Sequence, residues 1–125
     1  MVLIGVGHLG RAILSYEGFE PQGFKIVACF DTDPKLIGKK MGNCIVQDVS
    51  QLEQRLKQGN IDIVIVAVPK DKAQKLIDSL VKWGIKAILN YAPICTRVPE
   101  GVYIRNVEPV IALQTLTFHL SNNNK

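Results

Sequence analysis

The sequence contains few of the residues that build disulfide frameworks, metal centres and acid–base pairs. Its 125 residues include three cysteines and two histidines, and the cysteines form no Cys-x-x-Cys pair. An odd set of isolated thiols indicates neither a disulfide scaffold nor a zinc site, and it is typical of the reducing cytoplasm. No apolar run approaches the roughly 18 residues that cross a bilayer, and no cationic leader with a cleavage site is recognisable. We therefore expect a soluble, cytoplasmic protein.

The composition is that of a globular domain with a small excess of positive charge. Hydrophobic residues make up 47% of the chain, and 15 Lys and Arg against 11 Asp and Glu give a net charge of +4. This length supports one domain, not a catalytic domain joined to a separate substrate domain. The charge permits a polyanionic partner such as a nucleotide. No basic stripe interleaved with aromatic residues and no helix-turn-helix pattern is present, so we do not expect this chain to read duplex DNA by itself.

Short β-branched runs alternate with helical patterns along most of the chain. The run 61–68 is almost unbroken and is typical of a strand covered on both faces. Asp33 before Pro34 and Ser50 before Glu53 are typical helix-capping pairs. The pattern predicts strands at 2–4, 24–30, 44–46, 61–68, 85–89 and 102–105, and helices from residue 11 and at 34–39, 51–57 and 70–83. Repeated β-α-β units predict an α/β fold with a doubly wound parallel sheet.

The first predicted strand is followed by a glycine-rich loop, residues 5–10, that fits the pattern G-x-G-x-x-G. Between a strand and a helix, such a loop lets the backbone approach a pyrophosphate at the positive end of the helix dipole. Asp31 ends the next strand, where a carboxylate accepts hydrogen bonds from an adenosine ribose. A 2′-phosphate there would meet like charge, so NAD(H) is favoured over NADP(H). The pattern predicts a Rossmann-type cofactor site with contacts from Gly5, Gly7, His8, Leu9, Gly10 and Asp31.

Alternatives remain open for these residues. A glycine turn followed by a helix-capping aspartate would have the same sequence. Asp33 is a rival for the ribose contact, although its position before Pro34 favours a role as a helix cap. The glycine loop also cannot choose among adenine nucleotides, so a coenzyme A or other nucleotide-binding module and the cofactor domain of an NAD-dependent oxidoreductase stay open.

Further candidate contacts lie where two later strands end. Val68 and Pro69 leave the central strand, and Asn90, Tyr91 and Pro93 follow the next one. Open parallel sheets bind ligands at the carboxyl ends of their strands, so we expect these residues to line the far half of the cofactor site. A turn-forming role for Asn90 and a packing role for Tyr91 are the alternatives.

The remaining reactive side chains favour structural roles. His8 and His119 have no evident carboxylate to orient them for catalysis. Cys29 and Cys44 fall within predicted strands and are interpreted as core residues, whereas Cys95, in a loop, is the thiol to test for reactivity. A set of lysines is interpreted as a solvated helix face, with a basic phosphate-binding surface as the alternative: Lys70, Lys72, Lys75 and Lys82. We therefore predict neither an enzyme nor a metal site.

The segment after residue 107 predicts a terminal helix that is too apolar for an ordinary surface position. A surface helix needs one apolar stripe, whereas here apolar residues occupy more than one face. They are Val110, Ile111, Leu113, Leu116, Phe118 and Leu120. We expect this helix to be buried against a second copy of the chain. The expected organisation is an NAD(H)-binding Rossmann domain at 1–107 and a dimerisation helix with its tail at 108–125.

The sequence also resembles the C-terminal domain of the bacterial redox-sensing repressors of the Rex family, over almost the whole chain. The matching stretches are 6–12, 30–34, 68–69, 84–93, 98–102, 105–107 and 113–116. Of these, the Asn-Tyr-Ala-Pro and Arg-Asn-Val stretches are more specific to the family than the glycine loop. The resemblance implies an NAD(H)-binding module that reports the NADH/NAD+ ratio. It also implies a homodimer that exchanges its C-terminal helix and releases operator DNA when NADH binds.

Position by position, the resemblance implies that Tyr16 and Glu108 belong to the nicotinamide end and the switch region. An apolar ring pocket at Tyr16, Tyr91 and Pro93 is expected to prefer NADH, because burying the charged oxidised ring costs desolvation.

The sequence also departs from the family pattern. His8 stands where the family usually has Asn, and Glu108, followed by Pro109, stands where it usually has Asp. The family's N-terminal winged-helix domain is not in this sequence, in which Met1 lies at the first strand. We therefore expect operator binding to depend on a domain outside this chain.

Overall fold

The β-branched runs form one sheet, and the helical patterns cover both of its faces. The computed structural model describes residues 1–107, 116–117 and 119–121. The strands are β1 (Val2–Ile4), β2 (Ala28–Asp31), β3 (Lys40–Met41), β4 (Cys44–Asp48), β5 (Ile63–Val66), β6 (Ala87–Asn90) and β7 (Tyr103–Asn106). The helices are α1 (His8–Ser15), α2 (Leu52–Lys57) and α3 (Lys70–Lys82), with single 3-10 turns at Glu20–Gln22 and Val49–Gln51. None of the helices in this described part is long and apolar enough to cross a membrane.

The sheet has the strand order β3-β4-β2-β1-β5-β6-β7, and all neighbours are parallel except β3 and β4. The first strand lies in the middle, where Val2 pairs with Ala28 of β2 on one side and with Val64 of β5 on the other. The chain therefore builds outward from β1 in both directions. The predicted doubly wound α/β sheet is confirmed, and its switch point lies at the carboxyl ends of β1 and β5, where such sheets bind ligands.

Alternate residues along the strands pack into two separate apolar layers. On one face, Val2 and Ile4 are buried with residues of α2 and α3 such as Leu80. On the other face, Leu3 and its neighbours are buried beneath Ile13 of α1. Fully burying a side chain of this size contributes roughly 1.5–3 kcal/mol. The two layers hold β1 rigidly between the helices, and its carboxyl end is therefore a fixed platform for the loop that follows.

The predicted helix at 34–39 is wrong, because these residues form consecutive turns. Asp33 therefore caps no helix; instead its carboxylate accepts the N–H of Lys35 at 2.9 Å and its carbonyl accepts the N–H of Leu36 at 3.0 Å, so it stabilises the turns. Gly38, with φ of 89°, then ends the turn. The chain continues directly into the antiparallel hairpin of β3 and β4, which the sequence pattern did not predict.

The predicted capping box of Ser50 and Glu53 is also wrong. The side chain of Asp48 accepts the N–H of Ser50 at 3.0 Å and caps a 3-10 turn, so α2 begins later, at Leu52. Several strands are shorter than their apolar runs, and β2 begins only at Ala28. An apolar run marks where a chain can be buried, whereas a strand requires a neighbour for its backbone hydrogen bonds.

The first helix packs so closely on the ends of β1 and β5 that two positions require glycine. A Cβ on Gly10 would overlap the carbonyl oxygen of Gly5, and a Cβ on Gly5 would overlap that of Ala67. Gly5 also has φ of 98°, which residues with a side chain rarely adopt. At Gly7, by contrast, a Cβ would meet no atom within 4 Å. Gly5 and Gly10 therefore permit close packing, and Gly7 leaves space in front of the helix.

Replacing Gly10 by Ala is expected to lower the free energy of unfolding by about 2 kcal/mol, because the added methyl group overlaps backbone that cannot move aside. Helix propensity alone would raise the free energy of unfolding by roughly 1 kcal/mol, because alanine is the better helix former. A fall in the free energy of unfolding would therefore show that the steric overlap outweighs helix propensity. Gly7→Ala, whose added methyl group meets no atom within 4 Å, is the matched control and should cost only about 1 kcal/mol or less, because Ala is a poorer N-cap than Gly. Urea unfolding followed by circular dichroism measures both variants. A Gly10→Ala protein as stable as the parent would contradict the packing argument.

Candidate functional site

A cavity of about 890 Å³ lies beyond the carboxyl ends of β1, β2 and β5. Its size is within the range of roughly 300–1,000 Å³ that is typical of ligand pockets. The structure brings many of the sequence-predicted contacts together in its lining: Gly5, Gly7, His8, Leu9, Asp31, Val68 and Pro69. Gly10 supports this lining from below through its contact with Gly5. We call this space the glycine-loop cavity.

The glycine loop presents the start of α1 to this cavity. Gly7 is the N-cap of the helix, and no side chain forms a capping hydrogen bond there. The first backbone N–H groups of a helix have no partner within the helix and form the positive end of its dipole. The loop is fixed to the sheet, because the N–H of Gly5 donates to the carbonyl of Phe30 at 2.8 Å. This arrangement suits a phosphate or pyrophosphate group.

Asp31 connects the glycine loop to the end of β2. Its Oδ2 accepts the N–H of Val6 at 2.7 Å, and its Oδ1 accepts the N–H of Asp33 at 2.9 Å. These are hydrogen bonds to a charged acceptor, which are stronger than those between neutral groups. Asp31 thus positions the loop, a role that its spacing from the glycines did not reveal. Because each carboxylate oxygen can accept more than one hydrogen bond, the side chain keeps acceptor capacity toward the cavity.

Most residues in two further walls of the cavity were not predicted from the sequence, where only Asp33 was considered for the ribose and Lys72 and Lys75 for a phosphate-binding surface. One is formed by α3, and the other by the turns after β2 and β4. The additional lining residues include Thr32, Asp33, Leu36, Val49, Asp71, Lys72, Lys75, Leu76 and Ser79. The signal for the α3 wall was in the sequence, because residues 72, 75, 76 and 79 share one helix face. Lys72 and Lys75 are exposed, as expected of a solvated face, but they lie at the rim of the cavity.

The structure arranges Asn90 as a turn-forming residue and Tyr91 as a packing residue, the alternatives left open by the sequence. Asn90 is completely buried, and its side chain exchanges hydrogen bonds with the backbone of Ala92 at 3.0 and 3.1 Å. Tyr91 is half-buried against the apolar layer beneath α1. Asn90, Tyr91 and Pro93 are not among the described residues that line the glycine-loop cavity. Cofactor contacts by these three residues stay predictions.

Tyr16 lies at a different surface groove. It is 60% exposed and packs edge-to-face on Phe19, with ring centroids 4.7 Å apart. The groove, of about 460 Å³, lies on the α1 side of the sheet and is lined mainly by apolar side chains: Met1, Tyr16, Phe19, Phe24, Ile63, Ala87, Ile88, Leu89 and Tyr103, with Arg105. We call it the sheet-face groove. The other residue assigned to the nicotinamide end, Glu108, lies outside the described residues, as does most of the predicted terminal helix.

The cysteines that fall within strands are core residues, as predicted. Cys29 and Cys44 are buried, and burial raises the pKa of the Cys29 thiol to about 12 and also raises the pKa of Cys44. Both thiols are therefore protonated near neutral pH and are poor nucleophiles. Cys95 is exposed. In the described residues no group of three or more His, Cys, Asp or Glu side chains is arranged to hold a metal ion.

Comparisons with known sequences point to one family. A family model described as the CoA binding domain matches residues 1–94. The redox-sensing transcriptional repressor Rex of Chloroflexus aurantiacus is 45% identical over 121 residues, which cover 97% of this chain and 57% of that protein. The repressor Rex of Clostridioides difficile is 44% identical over 117 residues, covering 94% and 56%. The chain thus spans a little over half the length of these relatives.

Solved structures agree with the sequence relatives. The crystal structure of RSP, a Rex-family repressor, has a TM-score of 0.90 and 41% identity, covering 98% of this chain and 59% of that one. RSP has also been solved with β-NADH, and with β-NAD+ and operator DNA. A dehydrogenase from Vibrio fischeri that acts on UDP-D-quinovosamine shares only the fold, with 20% identity and a TM-score of 0.62.

The relatives that match this chain closely are named as transcriptional repressors, not as enzymes, which agrees with the prediction of a non-enzymatic module. The chain therefore belongs to the CoA-binding domain family, and within it to the form found in the C-terminal domain of the Rex repressors.

Proposed function

We propose that this chain is the NAD(H)-binding module of a Rex-type repressor and that it responds to the NADH/NAD+ ratio. The observation that carries the proposal is the glycine-loop cavity itself. A glycine loop, an open helix N-terminus and a carboxylate at the end of β2 converge at the switch point of a parallel sheet. The Rex-family repressor RSP, 41% identical to this chain, binds both β-NADH and β-NAD+. The isolated thiols favour the reducing cytoplasm, where this module would be exposed to the soluble pool of NADH and NAD+.

The residues present fit such a cofactor. Gly7 leaves space where a pyrophosphate would meet the first N–H groups of α1. Asp31 has acceptor capacity for the hydroxyl groups of the adenosine ribose. The apolar side chains of Leu36, Val49 and Leu76 offer walls on which an adenine ring can pack. The nicotinamide end would then extend along the strand ends toward Val68, Pro69 and the turn after β6.

A sensor must bind the two redox forms with different free energies, because equal affinities shift no equilibrium. The oxidised nicotinamide ring carries a positive charge and the reduced ring is neutral. Apolar surroundings from Tyr91 and Pro93 would favour the reduced form, since burying an unpaired charge costs desolvation free energy. Tyr16, also expected from the resemblance at the nicotinamide end, lines the separate sheet-face groove of the single chain. His8 and Glu108, where the sequence departs from its family, would adjust this preference.

We also propose that the module acts as a homodimer through its C-terminal helix. The sheet-face groove is apolar yet uncovered in the single chain, and Tyr103 beside it is 75% exposed. Leu116 and Leu120, four residues apart in the helical part of the described C-terminus, are 59% and 63% exposed. Exposed apolar surfaces of this kind favour association. Operator DNA would be a partner of the repressor as a whole, as it is of the Rex-family repressor RSP.

Coenzyme A is the second candidate ligand. The matching family model carries its name, and Lys72 and Lys75 place positive charge at the rim of the cavity, where the additional phosphate of coenzyme A could be accommodated. The same fold binds several adenine nucleotides, so the ligand must be decided by direct competition.

Calorimetric titration of the full chain with NADH, NAD+ and coenzyme A in parallel tests the proposed function. We expect NADH to bind at least tenfold more tightly than NAD+, about 1.4 kcal/mol, because the neutral ring loses less hydration. Coenzyme A should neither bind comparably nor displace NADH. Equal curves for NADH and NAD+ would contradict the sensor, and tight binding of coenzyme A alone would favour the second candidate.

Replacing Asp31 by Ala is expected to weaken NADH and NAD+ alike by about tenfold, because both the carboxylate and the anchor of the glycine loop are lost. Asp33→Ala is the matched control, since Asp33 lines the same cavity but holds only the turn that follows β2. Titration of both variants separates the two acids. If Asp33→Ala weakens binding and Asp31→Ala does not, Asp33 is the ribose acid.

Replacing Tyr103 by Asp is expected to shift the chain from dimer toward monomer, because a charge would be placed beside the sheet-face groove. Ile45→Asp is the matched control. Ile45 is also a large, exposed strand residue, at 60% exposure, but it lies on β4 near the opposite edge of the sheet. Sedimentation equilibrium of the parent and both variants measures the change. A parent chain that is monomeric at high concentration, or equal dissociation of both variants, would contradict the proposed interface.

A further inference from the structure

A hydrogen-bond network centred on Asn106 joins the turn after β6 to the end of β7. The buried side-chain amide of Asn90 donates to Oδ1 of Asn106 at 3.0 Å while it holds the backbone of Ala92. The Thr96 hydroxyl donates to the same Oδ1 at 3.4 Å. The backbone carbonyl of Asn90 accepts the N–H of Val107 at 2.8 Å. A strand end, a loop and the point where the chain leaves β7 therefore share one network.

The two asparagines have unequal surroundings. Asn90 is completely buried, so every N–H of its amide needs a partner within the protein. Asn106 is exposed at the sheet edge, and its Oδ1 supplies one of those partners. Removing that oxygen would leave a buried donor without its acceptor, and the Asn90 side chain would lose the contact that fixes its orientation. The shape of the turn at Ala92 depends on that orientation.

The turn at Ala92 follows the carboxyl end of β6 and lies at the same end of the sheet as the glycine-loop cavity. The N–H of Tyr91 donates to the carbonyl of Val66 at 2.8 Å, and the residue after Val66, Ala67, lines the cavity. On the other side of the network, Val107 is followed by Glu108, which the Rex resemblance assigns to the switch region. The network thus lies between the residues expected at the nicotinamide end and the start of the C-terminal segment.

We propose that Asn106 is a positioning residue for the cofactor, an inference that rests on the proposed function. It holds Asn90 so that the turn at Tyr91–Pro93 keeps the shape that the nicotinamide end of NADH meets. It also ties this turn to the start of the segment that leads to Glu108. Cofactor affinity consequently depends on an exposed side chain that is not part of the cavity lining.

The loop beyond the turn has a second, independent anchor, which makes the proposal testable without unfolding the protein. The Gln74 amide accepts the N–H of Arg97 and donates to its carbonyl, both at 3.1 Å. Asn106→Ala therefore removes the connection to Asn90 while the far end of the loop stays attached to α3. Asn106→Ala leaves one N–H of the buried Asn90 amide without an acceptor, so the melting temperature should fall by a few degrees while the protein stays folded.

The test compares Asn106→Ala with Asn106→Asp, which keeps an acceptor oxygen at the same place, and with Asn43→Ala, an exposed asparagine in the β3–β4 turn. NADH titration of the full chain should show about fivefold weaker binding for Asn106→Ala, recovery for Asn106→Asp and no change for Asn43→Ala. Hydrogen exchange followed by NMR should show faster exchange of the Ala92 amide in Asn106→Ala alone.

The possible outcomes separate the positioning role of Asn106 from the proposed NAD(H)-binding function. Unchanged NADH binding by Asn106→Ala, or equal weakening by the Ala and Asp variants, would overturn the positioning role while the proposed function stands. If the parent chain binds no NADH, the proposed function fails, and the exchange rate of the Ala92 amide still shows whether Asn106 controls the turn. An unchanged rate at Ala92 in Asn106→Ala would overturn the network argument in every case.

Discussion

The close approach of α1 to the ends of β1 and β5 is the constraint on which the rest of the site depends. The approach is possible because Gly5 and Gly10 carry no Cβ where another carbonyl oxygen already lies. Asp31 then fixes the loop from the side through its hydrogen bond to the N–H of Val6. The helix N-terminus is thereby held in a defined place above the switch point of the sheet. A side chain at Gly5 or Gly10 would move the helix and, with it, the positive end of its dipole.

The charges around the cavity follow from this arrangement. Partial positive charge at the start of α1 faces a space that is bounded on one side by Asp31 and Asp33 and on another by Lys72 and Lys75. A ligand that fits must combine an anionic centre with neutral hydrogen-bond donors, and a nucleotide has both in its phosphates and ribose. The cavity alone does not distinguish redox states. In the proposed sensor that task would fall to the turn after β6, which the Asn90–Asn106 network joins to Val107 at the end of β7.

Features that depend on one helix, strand or loop alone were predictable from the sequence, whereas features that depend on contact with another part of the chain were not. The glycine loop, the central strand and α3 follow from local spacing, and the structure has all three. The helix expected at 34–39 fails because Gly38 and the β3–β4 hairpin compete for the same residues. Ser50 satisfies the pattern of a helix cap, but Asp48 caps a 3-10 turn that contains Ser50, and α2 begins after that turn.

The same distinction applies to the site. The carboxylate of Asp31 was located by its spacing from the glycines, yet its bond to Val6 depends on how β2 lies beside β1, which no local pattern encodes. The lysines of α3 were recognised as a solvated face, but their position at the cavity rim follows from the packing of that helix on the sheet. For Asn90 the sequence left a cofactor contact and a turn-forming role open; its burial and its hydrogen bonds show the turn, which depends on contact with Asn106, and the cofactor contact stays a prediction.

The most direct measurement of the central claim is an NMR titration of the isotope-labelled chain with NADH, followed at individual backbone amides. The largest shifts are expected at Gly7 and His8 of the glycine loop and at Leu76 on the α3 wall. Amides of β3, at the far edge of the sheet, should remain unchanged. Shifts confined to the sheet-face groove, or saturation with NADH that leaves the glycine-loop amides unmoved, would contradict the account.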